Sequence, residues 1–411
     1  MEHVNTFGAD GLQDLIVEAC VTSLTYDPQC EAERAPWLFS LVESANLKSQ
    51  VIQTIASTLS EPPSADDRDM EQRSALLKEL ASAGSLEARD LLYLSFTRLS
   101  TGEVVADEDI VSLDGTDGLL HVARQLGRWL QDDPDFWVHD NLIAEVDRSS
   151  VTGTAQSALE RAAVSDPDIA RYLAGLRLTR DLPNDNAGRR DVAEYSGAQI
   201  LTHLDSHPND QCHWLRGWGM HADADERDVV FQALLLSEEP ERVKRLLRCF
   251  GKIGVPRFDR RLLQWIASAD DVLQRAAIRA VTSIRHEELR KFALQLIAND
   301  DLVNGLRLLV ANFEDGDLAM CATRLIPFDD ADERHHVGSE VLDLCEAHSS
   351  VDALDCLLYV YEFSPCSTCR ARSVTALIEM DIAPAWILNE SKFDADPDTR
   401  ALVVKKLAAA Q

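Results

Sequence analysis

Aromatic residues make up only 6% of the chain, too few for a sandwich or barrel whose strands rely on aromatic and β-branched side chains. Long hydrophobic runs are missing as well. No stretch approaches the roughly 18 apolar residues that cross a bilayer. The opening MEHVNTFGADGLQDLIVEAC lacks both the basic start and the apolar centre of a secretory leader. Nine cysteines, an odd number scattered over 411 residues, exclude a disulfide framework and suit free thiols packed in apolar helices. A reducing cytoplasm is the expected setting. Positive charge is outweighed, with 40 Lys and Arg against 70 Asp and Glu, a net −30. A field of that sign repels nucleic acid and anionic membranes and keeps a large protein soluble. GxSxG, Walker A and GxGxxG motifs are absent, and no catalytic carboxylate pair stands out, so the chain is expected not to be an enzyme.

What remains is helix. Hydrophobic residues form 45% of the chain, and their helical spacing runs nearly end to end, broken by Gly, Pro or acidic clusters. An all-α class follows. Ser74 to Phe96 reads as one helical hairpin, with Gly84 ending its first helix. The tripeptide Asp-Pro-Asp occurs at Asp133, Asp166 and Asp396, and each copy reads as a helix start: a capping Asp, a Pro at the first helical position and an Asp facing the helix dipole. Two stretches break the pattern. Ser100 to Gly118 is expected to be a long loop, and Arg180 to Gly197 a joint between a less regular N-terminal helical region, residues 1–180, and a repeat array, residues 190–411.

The array is legible as an offset. Leu247, Phe250 and Ile253 fall on Ile278, Val281 and Ile284 at a spacing of 31 residues. A further copy begins at Leu302, and RARSVTALIEM from Arg370 matches RALVVKKLAAA from Arg400 at 30. Such periods belong to stacked repeats. The segments SADDVLQRAAIRAVTSI and DADPDTRALVVKKLA resemble the HEAT-repeat family, in particular the short bacterial repeats of the phycobilisome-lyase-like kind. The resemblance implies an α-solenoid of stacked antiparallel helix hairpins. It also implies links between neighbouring repeats through turn Asp and helix Arg, here Asp271 with Arg275 and Asp398 with Arg400.

Two groups of metal-ligand residues occur. One is His203, Asp205, His207, Cys212, His213 and His221; the other is the lone Cys366-Ser-Thr-Cys369, with Cys345, Cys356, His335, His336 and His348 nearby in sequence. Neither supplies four convincing ligands, so folding is expected to need no tightly bound metal, and no cofactor is indicated. Charge is more telling. From Arg242 to Arg261 eight basic residues stand against the single acid Asp259, a local +7. The 31-residue offset sets Lys244 over Arg275 and Arg248 over Arg279, a two-rung ladder expected on one exposed face. With Arg245 and Lys252 these residues form the candidate docking surface for an acidic or phosphorylated segment of a protein partner. The expected role is a non-enzymatic protein-binding scaffold. The alternatives are an acidic inhibitor or immunity-type protein that masks a nucleic-acid site and, last, a HEAT-like repair glycosylase.

Overall fold

The structure, a computed structural model, describes residues 2–27, 31, 33–59, 68–99, 102–134, 136–149, 152–181, 195–208, 210 and 212–409. Within them helix follows helix. The single sheet among the described residues is a two-stranded antiparallel ribbon that pairs Thr97 with Val105 and Arg98 with Val104. The chain divides into two compact units, Met1–Asn184 with Phe393–Arg400, and Asp185–Lys392 with Ala401–Gln411. Residues 182–194 of the expected joint lie outside the described residues. No described helix is long and apolar enough to cross a membrane.

In the first unit the hairpin appears as Arg68–Ser82 and Leu86–Ser95. Its turn runs through Gly84 at φ +98°, a conformation that side chains with a Cβ avoid, and Ser85 caps the second helix through the Ala88 amide. The expected long loop is only partly a loop, because a helix starts at Asp107 and runs to Asp132. Asp107, Glu108 and Asp109 in its first turn complement the helix dipole, and Ile110 and Val111 anchor it in the core. Its acidity belongs to a helix start. Gly115, at φ 56°, interrupts this helix. The first Asp-Pro-Asp also departs from expectation, since Asp133 is the C-terminal cap of that same helix. At the second copy, Asp166 accepts the amides of Asp168 and Ile169 ahead of Pro167–Asp181. At the third, Asp396 accepts the amide of Thr399.

In the second unit the central aligned positions lie in the core. Leu247, Phe250, Ile278 and Val281 are all fully buried, each contributing roughly 1.5–3 kcal/mol of apolar burial. Ile253 departs from this and lies exposed. The helices Pro240–Arg248 and Asp271–Val281 pack together. Their tie is Asp270, which caps the second helix through the amides of Val272 and Leu273 while pairing with Lys244 at 2.6 Å. The expected links are different in fact. Arg275 donates to the carbonyl of Asp271 in its own helix, and Arg400 donates to the carbonyls of Asp394 and Ala395. A third helix, Leu215–His221, comes very close to the chain at Cys249: a Cβ on Gly219 would sit 1.7 Å from the Cys249 carbonyl oxygen. That approach carries Arg216 toward the basic helices.

Candidate functional site

The ladder residues converge on a concavity. Lys244, Arg248, Arg275 and Arg279 line a hollow of about 460 Å³ together with Lys252 and Arg216, over a floor formed by Leu247, Gly251, Val272 and Ala276. Periodicity explains the first four, since residues four apart share a helix face and the two helices lie side by side. Among the described residues, no carboxylate lines it.

The six cations differ in their surroundings. Lys244 is tied down by Asp270 at 2.6 Å and Glu241 at 2.7 Å, and these two contacts, Asp270 first, raise its pKa. Reciprocally, the Lys244 ammonium holds the Asp270 carboxyl below its usual range. Arg279 forms no ion pair among the described residues. It is held below the ordinary arginine range by partial desolvation and then by the positive charges of Arg307, Arg216 and Arg275, against a small opposing effect of Glu340. Glu340 itself is buried and paired with Arg307. Arg216, Lys252, Arg275 and Arg279 are exposed, and the hollow therefore presents mutually repelling guanidinium groups to solvent. An anion entering it would relieve that repulsion and could accept bidentate hydrogen bonds from the arginines.

Arg245 does not belong to this surface. It is buried, and its guanidinium donates to the carbonyls of Leu204 at 3.0 Å and His207 at 3.1 Å. A buried guanidinium needs such acceptors, so Arg245 fastens the Gly197–Ser206 helix end to the Pro240–Arg248 helix. A sequence signal was present: Arg245 stands four residues before the apolar Cys249 and so shares its helix face. Arg216 was the residue that sequence reasoning missed, because it lies outside the 31-residue alignment.

Each metal-ligand group brings three donors within 4.8 Å of one another, His203, Asp210 and Cys212 in one and His335, Cys366 and Cys369 in the other. In the first, His203 bonds Asp210 at 3.0 Å and stacks on His207, while Asp210 accepts the amide of Cys212 at 2.9 Å. Those bonds, the Cys212 amide foremost, hold the Asp210 carboxyl down to about 2, and burial pushes the Cys212 thiol up to about 11. Asp205 pairs instead with Arg242, and His213 and His221 are exposed. In the second group the structure brings His335 to the CxxC. The Sγ atom of Cys369 lies 3.7 Å from Nδ1 of His335, and donor atoms of His335, Cys366 and Cys369 all lie within 4.8 Å of one another. Cys366 caps the Ser367–Glu379 helix position without a capping hydrogen bond. The Cys369 thiol, then the facing amides and His335, hold the Cys366 thiol well below its ordinary range against the effect of burial. The other candidates lie elsewhere: Cys345 and Cys356 are core thiols, His336 is exposed, and His348 bonds the carbonyl of Val310 and stacks on Phe313.

A larger hollow, about 600 Å³, lies in the first unit and is lined by Glu71, Glu103, Asp107, Glu108, Asp109 and His139, among others. Asp109 is engaged by the Ser74 hydroxyl at 2.6 Å and Lys78 at 3.8 Å. Burial pushes the Asp107 carboxyl up to about 6. Compared with family models, curated proteins and solved structures, the chain matches none.

Proposed function

We propose that the chain is a non-enzymatic binding protein, a scaffold of HEAT-like stacked hairpins, whose basic hollow in the second unit docks an acidic or phosphorylated segment of a partner protein. The observation that carries this reading is the convergence of Arg216, Lys244, Arg248, Lys252, Arg275 and Arg279 on one concavity with no carboxylate in its lining among the described residues, in a chain whose net charge is −30. Solvated basic faces on an acidic protein are ordinarily balanced by neighbouring acids. Here Lys244 has that balance through Glu241 and Asp270, whereas among the described residues no carboxylate forms an ion pair with Arg216, Lys252, Arg275 or Arg279. The exposed Val272 in the lining suits a peptide better than a bare ion, because an apolar side chain of the bound segment can cover it.

The test uses a library of fluorescent acidic peptides with and without phosphoserine, titrated against the full chain and against the triple variant Arg216→Glu, Arg275→Glu, Arg279→Glu. Lys244 is left intact because it also ties two helices together. Saturable binding that weakens at least about tenfold in the folded variant supports the reading, a loss of about 1.4 kcal/mol. Equal binding by wild type and variant, or no binding by wild type, removes it. A parallel titration with duplex DNA at moderate salt is expected to show no saturable binding; tight DNA binding abolished by the same variant would replace the peptide reading with a nucleic-acid one.

A further inference from the structure

From the His335–Cys366–Cys369 cluster we infer a binding site for a thiophilic divalent cation of the Zn²⁺ class, held by two thiolates and one imidazole with a fourth position open to an exchangeable ligand. The first support is geometric. Zinc–sulfur bonds of about 2.3 Å and zinc–nitrogen bonds of about 2.0–2.1 Å make a tetrahedral sulfur–nitrogen edge of about 3.6 Å and a sulfur–sulfur edge of about 3.8 Å. The Cys369–His335 edge is 3.7 Å, and the remaining edges are within 4.8 Å. Small side-chain rotations close the set.

The second support is how the fold delivers the ligands. His335 and Cys366 are 31 residues apart in the sequence, the spacing that superposes Lys244 on Arg275. His335 comes from the helix Ala331–Ala347, which Asp330 caps through the amide of Glu333 and which Val337 and Val341 anchor in the core. Cys369 is in the first turn of Ser367–Glu379, anchored by the fully buried Ser373, Val374 and Leu377. Both helices are held by their own packing, so the ion is not required to fold them. Ser364 adds a supporting contact by accepting the Cys366 amide at 3.3 Å, the kind of outer interaction that orients metal ligands.

The third is chemical selection. Cys366 and Cys369 are 2% and 4% exposed, and two buried thiolates without a counter-charge are costly. A divalent ion neutralises both, and its binding displaces any proton still held on the sulfurs. Mg²⁺ and Ca²⁺ are disfavoured because the donors are sulfur and nitrogen. With three protein donors, the fourth position is available to water or a small thiol or carboxylate.

The experiment titrates reduced, chelator-treated full-length protein with Co²⁺, reading thiolate-to-metal charge-transfer absorption, and then displaces it with Zn²⁺. Expected are about one equivalent of thiolate-bound metal and a loss in affinity of about 100-fold or more in Cys369→Ser and His335→Asn, since even outer contacts are worth 10–100-fold. The exposed neighbour variant His336→Asn should bind as wild type. His335→Asn at a half-buried position tests the site even where a serine variant folds poorly. Absence of the absorption at one equivalent, or its persistence in His335→Asn, overturns the assignment. So does a Cys366–Cys369 disulfide in the isolated protein combined with no metal binding after reduction, which would make the pair a redox couple.

Discussion

Asp107 is a carboxylate in the first turn of a helix, where the dipole favours its charge, yet burial raises its pKa from 3.8 to about 6. The two effects oppose, and burial wins. Because the folded-state pKa lies above the unfolded value, the folded chain binds more protons between about pH 4 and pH 6, and stability falls as pH rises through that window. The contribution is fully present below the unfolded pKa and is lost above the folded one. Its size is roughly 2–3 kcal/mol, and Asn at the same place forgoes about 0.5 kcal/mol of dipole interaction. Asp107→Asn is therefore expected to raise stability near neutral pH by about 1.5–2.5 kcal/mol and to leave it nearly unchanged near pH 4. Urea midpoints at the two pH values check this; a variant whose pH profile parallels that of wild type would show that Asp107 is not the residue responsible.

Elements make a sharper case, because one short helix contains two glycines with opposite demands. On Leu215–His221, a Cβ at Gly217 meets nothing within 4 Å, whereas a Cβ at Gly219 would lie 1.7 Å from a backbone oxygen and 2.7 Å from the carbonyl carbon of Cys249. Gly217→Ala should stabilise by about 0.5–1 kcal/mol through helix propensity and a less entropic unfolded chain. Gly219→Ala should destabilise by about 1–3 kcal/mol or more, since backbone rather than a flexible side chain must move. Thermal melts of the pair decide it: equal shifts would mean that the helix does not approach Cys249 so closely. The same helix shows what was readable in advance. Lys244, Arg248, Arg275 and Arg279 were legible because helical spacing and a 31-residue offset together fix which residues share a face. Arg216 was not, since its place depends on the approach at Gly219, a tertiary contact with no periodic signal. His335 stands one such offset before Cys366, a spacing that names the ligand once the offset is applied to residues other than hydrophobic ones. The Ser100–Gly118 stretch was misread because a run of acids signals a helix start as readily as a loop, and only burial of Ile110 and Val111 distinguishes them.

For the whole molecule, the sign of the field depends on distance. Far from the surface an acidic ligand meets a net charge of −30 and is repelled; within the hollow it meets guanidinium groups and is held. Salt separates these regimes, because the screening length is about 30 Å at 0.01 M, about 10 Å at 0.1 M and about 3 Å at 1 M. Raising salt from about 0.01 to about 0.1 M removes the long-range repulsion and leaves contact pairing largely intact. The association rate of an acidic peptide should therefore rise over that interval, and only above it should the dissociation rate climb as contact pairs are screened. Affinity should pass through a maximum near 0.1 M. This differs from ordinary electrostatic steering, in which association is fastest at the lowest salt. Stopped-flow association across the range distinguishes the two: a rate that falls monotonically from the lowest salt would mean that the hollow's positive field reaches past the acidic surface, and the distance argument would fail.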